Sequence, residues 1–409
     1  IRCNGIISPR QSTMLVRSLA AAALVAAISS PCYALHAPSS SAMPRSAMGA
    51  QDSRPVGSLL KSASVLNARA MSLRGGAAKA VSSKPAAPAP WYAAFWNESV
   101  ELGVLFGLWY FGNVQYNLSN KKALNLLGGA KGGLVWTVSM IQLFVGVLWV
   151  LPLWALGIRT APKLTGSNWA EIVPVGIFSA GAHGGSVLGL GAGAVSFAQI
   201  LKACEPIFSA VNEIIFLGDI QAWQVYATLI PIVGGVAYAS AGELSFSWLA
   251  VIACMIANQC AALKAVFGKG VMKKAWAKSL GAANQYGIVN IASWLTLLPI
   301  ALIVEGPKAQ QSYNKALLKG SKEKDILWNV ALSGIMFYLY NEVSFMALAK
   351  VSAVTHSVAN TLKRVVIIVA SCIFLGEKMT TESVVGSTIA ITGTLLYSLA
   401  KTKYGAGHH

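Results

Sequence analysis

Ile215-Phe216-Leu217-Gly218-Asp219 recurs 158 residues later as Ile373-Phe374-Leu375-Gly376-Glu377. Just beyond, Ile230-x-x-x-Gly234-x-x-x-Tyr238 recurs as Ile389-x-x-x-Gly393-x-x-x-Tyr397, at an offset of 159. Upstream, Ala194-Val195-Ser196 matches Ala353-Val354-Thr355. These blocks fall in and between long apolar stretches. Ten such stretches, each of roughly the 20 residues a helix needs to cross hydrocarbon, lie near 100–120, 132–156, 169–190, 194–217, 222–241, 247–267, 283–304, 327–348, 353–375 and 381–400. The fourth and fifth return as the ninth and tenth, so each half holds five. Five is odd, so two consecutive halves enter a membrane with opposite orientation. The expectation is an all-α membrane protein: ten transmembrane helices in two inverted five-helix repeats, over 91–242 and 243–404. In secondary transporters built this way the substrate site lies between the halves, near mid-membrane.

Composition agrees. Of 409 residues, 55% are hydrophobic and only 11% are charged, against about 25% in an ordinary soluble domain. Mean hydropathy is +0.58. Six cysteines are too sparse for a secreted disulfide scaffold. The net charge of +18 does not argue for a nucleic-acid partner, because half of it sits in residues 1–90, with Asp52 as the only acid there. Lys and Arg divide evenly between odd and even loops, so the positive-inside rule gives no orientation.

The N-terminal region reads as an address. Residues 1–34 read as upstream residues, 1–13, and then a secretory signal peptide from Met14, in which Arg17 supplies a basic segment, Leu19 to Ile28 an apolar run too short to span, and Cys32-Tyr33-Ala34 a cleavage site. Residues 35–90 are rich in Ser, Ala, Pro and Arg, as in a transit peptide. A signal followed by a transit segment resembles the leaders of proteins sent to plastids with more than two bounding membranes. The stretch Ala34-Leu35-His36-Ala37-Pro38 marks the junction; the alternative is a disordered basic tail. Residues 405–409 are read as a short tail.

An ionisable residue deep in a span is a functional candidate, because burying its charge in a bilayer is expensive. Lys202 is central in the fourth span, and Lys363 and Arg364 in the ninth. Lys202 has Glu205 three residues on as a candidate intrahelical partner. Lys363 and Arg364 have no acid within a turn, the nearest in sequence being Glu377, and two such cations call for an anion. Arg supplies a planar fork suited to phosphate, and Lys a point charge. Lys264 near the end of the sixth span is either a site residue or a lysine snorkelling to headgroups. His183 and Ser186 share a face of the third span, Tyr340 stands beside Asn341 and Glu342, and His356 and Asn360 lie on the face of Lys363. Gly181, Gly185, Gly189 and Gly193 read as a close-packing stripe. Cys204, Cys254, Cys260 and Cys372 read as small packing residues. No metal spacing, P-loop or nucleophile motif is present, so neither a cofactor nor catalysis is expected.

Several motifs resemble the plastid phosphate translocators of the drug/metabolite transporter superfamily. They are Trp109-Tyr110-Phe111-x-Asn113, Asn117-x-x-Asn120-Lys121-Lys122, Lys202-Ala203-x-Glu205-Pro206, Glu305-Gly306-Pro307, Tyr340-Asn341 and Thr355-His356-x-Val358-x-Asn360-x-Leu362-Lys363-Arg364-Val365. The resemblance covers about 95–404 and implies strict exchange of inorganic phosphate for a phosphorylated C3, C5 or C6 compound. It implies that Lys202, Lys363 and Arg364 bind phosphate, with the hydroxyl of Ser186 lining that site. It implies that His183 and Tyr340 read the far end of a triose phosphate or 3-phosphoglycerate, together with Lys264, which stands where an arginine is usual. The glycine-rich run Gly184 to Gly193 also departs from the family, which is more often polar there. The histidine at His183 favours triose phosphate over phosphoenolpyruvate. The expected partners are inorganic phosphate, phosphorylated C3 compounds and the bilayer, for a functional monomer in a plastid envelope. Hexose-, pentose- and phosphoenolpyruvate exchange stand as alternatives within the family. A nucleotide-sugar transporter, a membrane enzyme and a uniporter or channel stand outside it.

Overall fold

The computed structural model describes residues 98–405. The signal and transit segments expected over 1–90 lie outside those residues, as do 406–409. All regular structure among the described residues is helical. The helices are α1 Glu98–Leu126, α2 Val135–Ala155, α3 Gly166–Ala192, α4 Val195–Leu201, α5 Glu205–Leu217, α6 Trp223–Ala227, α7 Leu229–Ala241 and α8 Trp248–Met272. They continue with α9 Ala275–Lys278, α10 Gly281–Val304, α11 Gly306–Leu318, α12 Glu323–Lys350, α13 Ala353–Leu375 and α14 Thr381–Tyr404.

Eight of these segments are long and apolar enough to cross a membrane, α6 and α7 counting together as Trp223–Ala241. Two expected spans are not among the eight, each for a local reason. Helix α1 is long, but Asn113, Gln115, Asn117 and Asn120 dilute its hydropathy. Asn113, Asn117 and Asn120 are buried, so α1 is polar on the side it turns inward. The fourth span is broken: α4 ends at Leu201, Lys202–Cys204 form a 3-10 turn, and α5 restarts at Glu205. Pro206 has no N–H to return to Lys202, which interrupts the helical ladder there.

The recurrence in the sequence has structural counterparts at the single offset of 158. Ala194 and Ser352 are the N-caps of α4 and α13, and both are extended. Gly218 and Gly376 end α5 and α13 with φ of 65° and 68°, the left-handed conformation that glycine adopts freely. Ala222 and Thr380 cap the next helices. The buried set Ile232, Gly235, Val236 and Ala239 of α7 matches Ala390, Gly393, Thr394 and Tyr397 of α14. The two blocks matched by letter at 159 are therefore one residue out of register. Ile230 and Ile389 are both exposed and at offset 158 stand opposite Thr388 and Pro231, so their match by letter carries no structural weight.

Glycines set the helix contacts. A Cβ at Gly235 would lie 2.5 Å from Ala390 N, and one at Gly386 would lie 2.6 Å from Gly235 O, so α7 and α14 cross backbone to backbone. The stripe on α3 packs on α8: Gly181 faces Cys260, Gly185 faces Ala253 and Ala257, Gly189 faces Cys254, and Gly193 faces Ala250. Helix α3 also packs on α10, α1 on α12, and α2 on both α10 and α12. Two acids seal helix starts from a distance. Glu377 accepts from Val195 N (2.7 Å) and Ser196 N (2.9 Å). Glu305 accepts from Trp136 N and from the backbone and hydroxyl of Thr137. Each carboxylate sits where unpaired N–H groups and the helix dipole favour negative charge.

Candidate functional site

The break in the fourth span puts Lys202 on a tight turn, where its side chain leaves the helix wall. It enters a polar cavity with about 90 Å³ of free space. The cavity is lined from α1 by Asn113, Tyr116 and Asn117, and from α3 by Ser186 and Leu190. The fourth span supplies Ala198, Gln199, Lys202 and Glu205, α12 supplies Tyr340, and α13 supplies Asn360, Lys363 and Arg364. The three central cations named from the sequence thus share one cavity with Ser186 and Tyr340.

Their partners differ from the sequence expectation. Glu205 does not pair with Lys202. Its Oε2 accepts from Arg364 Nη2 at 2.9 Å, so the acid that Arg364 lacks on its own helix comes from α5. The bond is one-armed, since Arg364 Nη1 is buried without a partner. Lys202 has no hydrogen bond or ion pair among the described residues. Lys363 lies with Nζ 5.3 Å from the centroid of Trp109, a cation–π contact. His356 stacks on the same Trp109 ring at 4.9 Å and meets Ser344 Oγ through Nε2 at 3.3 Å. Three cations and one carboxylate leave the cavity with two uncompensated positive charges.

Neutral polar side chains complete the lining. Gln199 Nε2 donates to Asn117 Oδ1 at 3.2 Å, and Asn117 Nδ2 donates to Asn113 Oδ1 at 2.9 Å. Sequence reasoning missed Asn113, Tyr116, Asn117 and Gln199 as lining residues. The i, i+4, i+7 spacing of Asn113, Asn117 and Asn120, which puts three amides on one helix face, is the signal that was available. Ser186 lines the cavity, but its hydroxyl already donates to Ala182 O at 2.6 Å and must rotate to serve an anion.

Two expected site residues are not among the lining. His183 is buried behind the wall, its ring 4.0 Å from Phe337 and 6.5 Å from Tyr116, which in turn lies 5.5 Å from Tyr340. Its Nε2 has no partner. Lys264 on α8 makes no hydrogen bond or ion pair among the described residues. Those residues also hold no group of His, Cys, Asp and Glu fit for a metal ion.

The sequence profile of the Triose-phosphate Transporter family matches residues 100–398. This chain belongs to that family. Its members are transporters, and the match spans every lining residue of the cavity. The chain is 34% identical over 306 residues to the chloroplastic xylulose 5-phosphate/phosphate translocator of Arabidopsis thaliana, covering 75% of this chain and 72% of the relative. It is 35% identical over 305 residues to the chloroplastic triose phosphate/phosphate translocator of Brassica oleracea var. botrytis, covering 74% and 72%. It is also 35% identical over 304 residues to the chloroplastic glucose-6-phosphate/phosphate translocator 1 of Arabidopsis thaliana, covering 74% and 76%. Relatives named for C3, C5 and C6 phosphates are thus equally similar to it.

Proposed function

We propose that this protein is a plastid-membrane antiporter that exchanges inorganic phosphate for triose phosphates or 3-phosphoglycerate. The observation that carries the reading is the meeting of Lys202 from one half with Lys363 and Arg364 from the other in one cavity. A phosphate there neutralises cations from both halves. In this reading Lys202, Lys363 and Arg364 hold the phosphate and Ser186 turns its hydroxyl toward it. Tyr340, His183 and Lys264 read the far end of the substrate. The unpartnered Nε2 of His183, reached through Tyr116 and Tyr340, suits that role.

The architecture we infer is ten spans in two inverted halves working by alternating access. Caps, left-handed glycines and buried positions shared at offset 158 support it. So does the packing, in which α3 on α8 has its counterpart in α12 on α1 once the halves are exchanged. The broken fourth span supports it too, since discontinuous helices line the sites of such carriers. We place the protein as a monomer in the envelope of a plastid with more than two membranes.

The test is transport by the full-length chain in phosphate-loaded liposomes. Exchange against dihydroxyacetone phosphate and 3-phosphoglycerate is expected to exceed that against pentose phosphates, hexose phosphates, phosphoenolpyruvate and nucleotide sugars. Exchange of nucleotide sugars alone, or no exchange of phosphate, overturns the reading.

A further inference from the structure

We infer that Glu205 is a resident counter-ion that holds Arg364 in the empty cavity and is displaced from it by the transported phosphate, so that it sets how tightly the site grips its anion. The inference deepens the phosphate-antiport reading and rests on it. Glu205 follows the 3-10 turn at Lys202–Cys204, and Pro206 holds the restart of the helix behind it. Its carboxylate lies on the cavity wall with its side chain 35% exposed. Lys202, three residues away, is the cation its own helix offers. The carboxylate instead reaches across to Arg364 on α13, the contact that a bridging phosphate would also make.

The geometry of the pair suits displacement. Glu205 uses one oxygen, on Nη2 alone, while Nη1 of Arg364 is buried and unpartnered. A phosphate can therefore begin on the unpaired Lys202 in the cavity lining, and reach Nη1 only as Arg364 turns, before Glu205 leaves. A guanidinium bound two-armed to phosphate needs both nitrogens, so completing that contact requires Nη2. Two anions cannot be crowded on one fork without repulsion in a low-dielectric site. On release the sequence runs backward, with Glu205 reclaiming Nη2 and detaching the anion. A resident competitor of this kind weakens binding and speeds departure together. Glu205 is accordingly a positioning residue acting through Arg364.

The experiment uses the full-length chain in phosphate-loaded liposomes and reads both half-saturation and maximal rate of phosphate exchange. For Glu205→Gln both are expected to fall, each by about tenfold, the scale of one charge-assisted hydrogen bond. In an Arg364→Gln background the same substitution is expected to change half-saturation by less than about twofold, since the contested group is gone. Equal effects of Glu205→Gln in both backgrounds, or an unchanged half-saturation in the first, overturn the inference while leaving the antiport reading intact. A wild-type chain that exchanges no phosphate overturns both. If Glu205→Gln does not fold, infrared difference spectra of the wild-type protein test the same displacement. Added phosphate should shift a carboxylate band that is silent in Arg364→Gln, and unshifted carboxylate bands overturn it.

Discussion

Lys363 Nζ lies 5.3 Å from the ring centroid of Trp109, so a cation of the cavity rests on a side chain of the first helix that is itself fully buried. The ring holds the ammonium without neutralising it, and His356 stacked on the same ring fixes its orientation. Trp109→Phe keeps an aromatic face, whereas Trp109→Leu removes it. A buried cation–π contact is worth about 2 kcal/mol. Among variants that still fold, Trp109→Leu should raise the half-saturation for phosphate severalfold more than Trp109→Phe, as read in liposome exchange. Equal values would mean the ring only fills space.

The paired cations of α13 give the second prediction. Lys363→Gln or Arg364→Gln removes a direct contact to phosphate worth roughly 1.5–3 kcal/mol, or about ten- to a hundredfold in affinity. Arg364→Gln also removes the only planar fork in the cavity lining, so it should be the more damaging of the two. Folded protein that exchanges phosphate at wild-type half-saturation would contradict the assignment.

The far end of the substrate gives the third. Lys264→Arg adds a planar fork matched to a carboxylate. It should lower the half-saturation for 3-phosphoglycerate more than for dihydroxyacetone phosphate, which lacks that group. Parallel changes for the two substrates would mean that Lys264 serves the protein surface.

Exchange coupling gives the fourth. The empty cavity keeps two uncompensated cations even with Glu205 on Arg364, and closing it would desolvate them. A ligand shifts a two-state system only through its differential affinity for the states, and here the closed form gains most from the anion. About 3–4 kcal/mol of missing stabilisation slows switching several hundredfold. Labelled phosphate should therefore leave liposomes far more slowly into plain buffer than into buffer with triose phosphate. Lys202→Gln should slow exchange yet narrow that gap. Equal efflux in both buffers would identify a uniporter or channel.

The register of the repeat gives the fifth. Gly386→Ala forces a methyl group into the backbone of α7 and should cost about 1–3 kcal/mol through overpacking. Gly234, the residue singled out by letter matching, has nothing within 4 Å of its would-be Cβ. Gly234→Ala should be neutral, or stabilising by up to about 1 kcal/mol through helix propensity. Thermal unfolding in detergent compares the two, and a larger loss at Gly234 would restore the offset of 159.

Hydropathy makes most of the helices legible in the sequence, because a bilayer imposes length and apolarity on whatever crosses it. Its signal is weakest for α1 and for the fourth span, both counted from the sequence and both helical, where polar residues or a break in the helix accompany the site. Lys202, Lys363 and Arg364 stand out because a charge in an apolar run has no cheap structural explanation. The asparagines of α1 and Gln199 do not, since neutral amides are too common in helix contacts to signal a cavity. The pairing of Glu205 with Arg364 was not legible, because sequence spacing reports only neighbours on one helix. The register slipped because apolar letters are interchangeable where they face outward, while caps and buried faces are not.

The glycine stripe of α3 has a mechanical consequence. Gly185 and Gly189 are notches that receive the backbone of Ala253 and the side chain of Cys254 from α8. A slip of one residue along the axis, about 1.5 Å, would drive those groups against the notch walls. The two helices are keyed together and travel as one stiff bar. In the alternating access proposed above, exposing the cavity to one side and then the other would not come from shear along this seam. The bending has to be taken up where the bar ends, at the turn around Gly193 and the fracture beside Lys202.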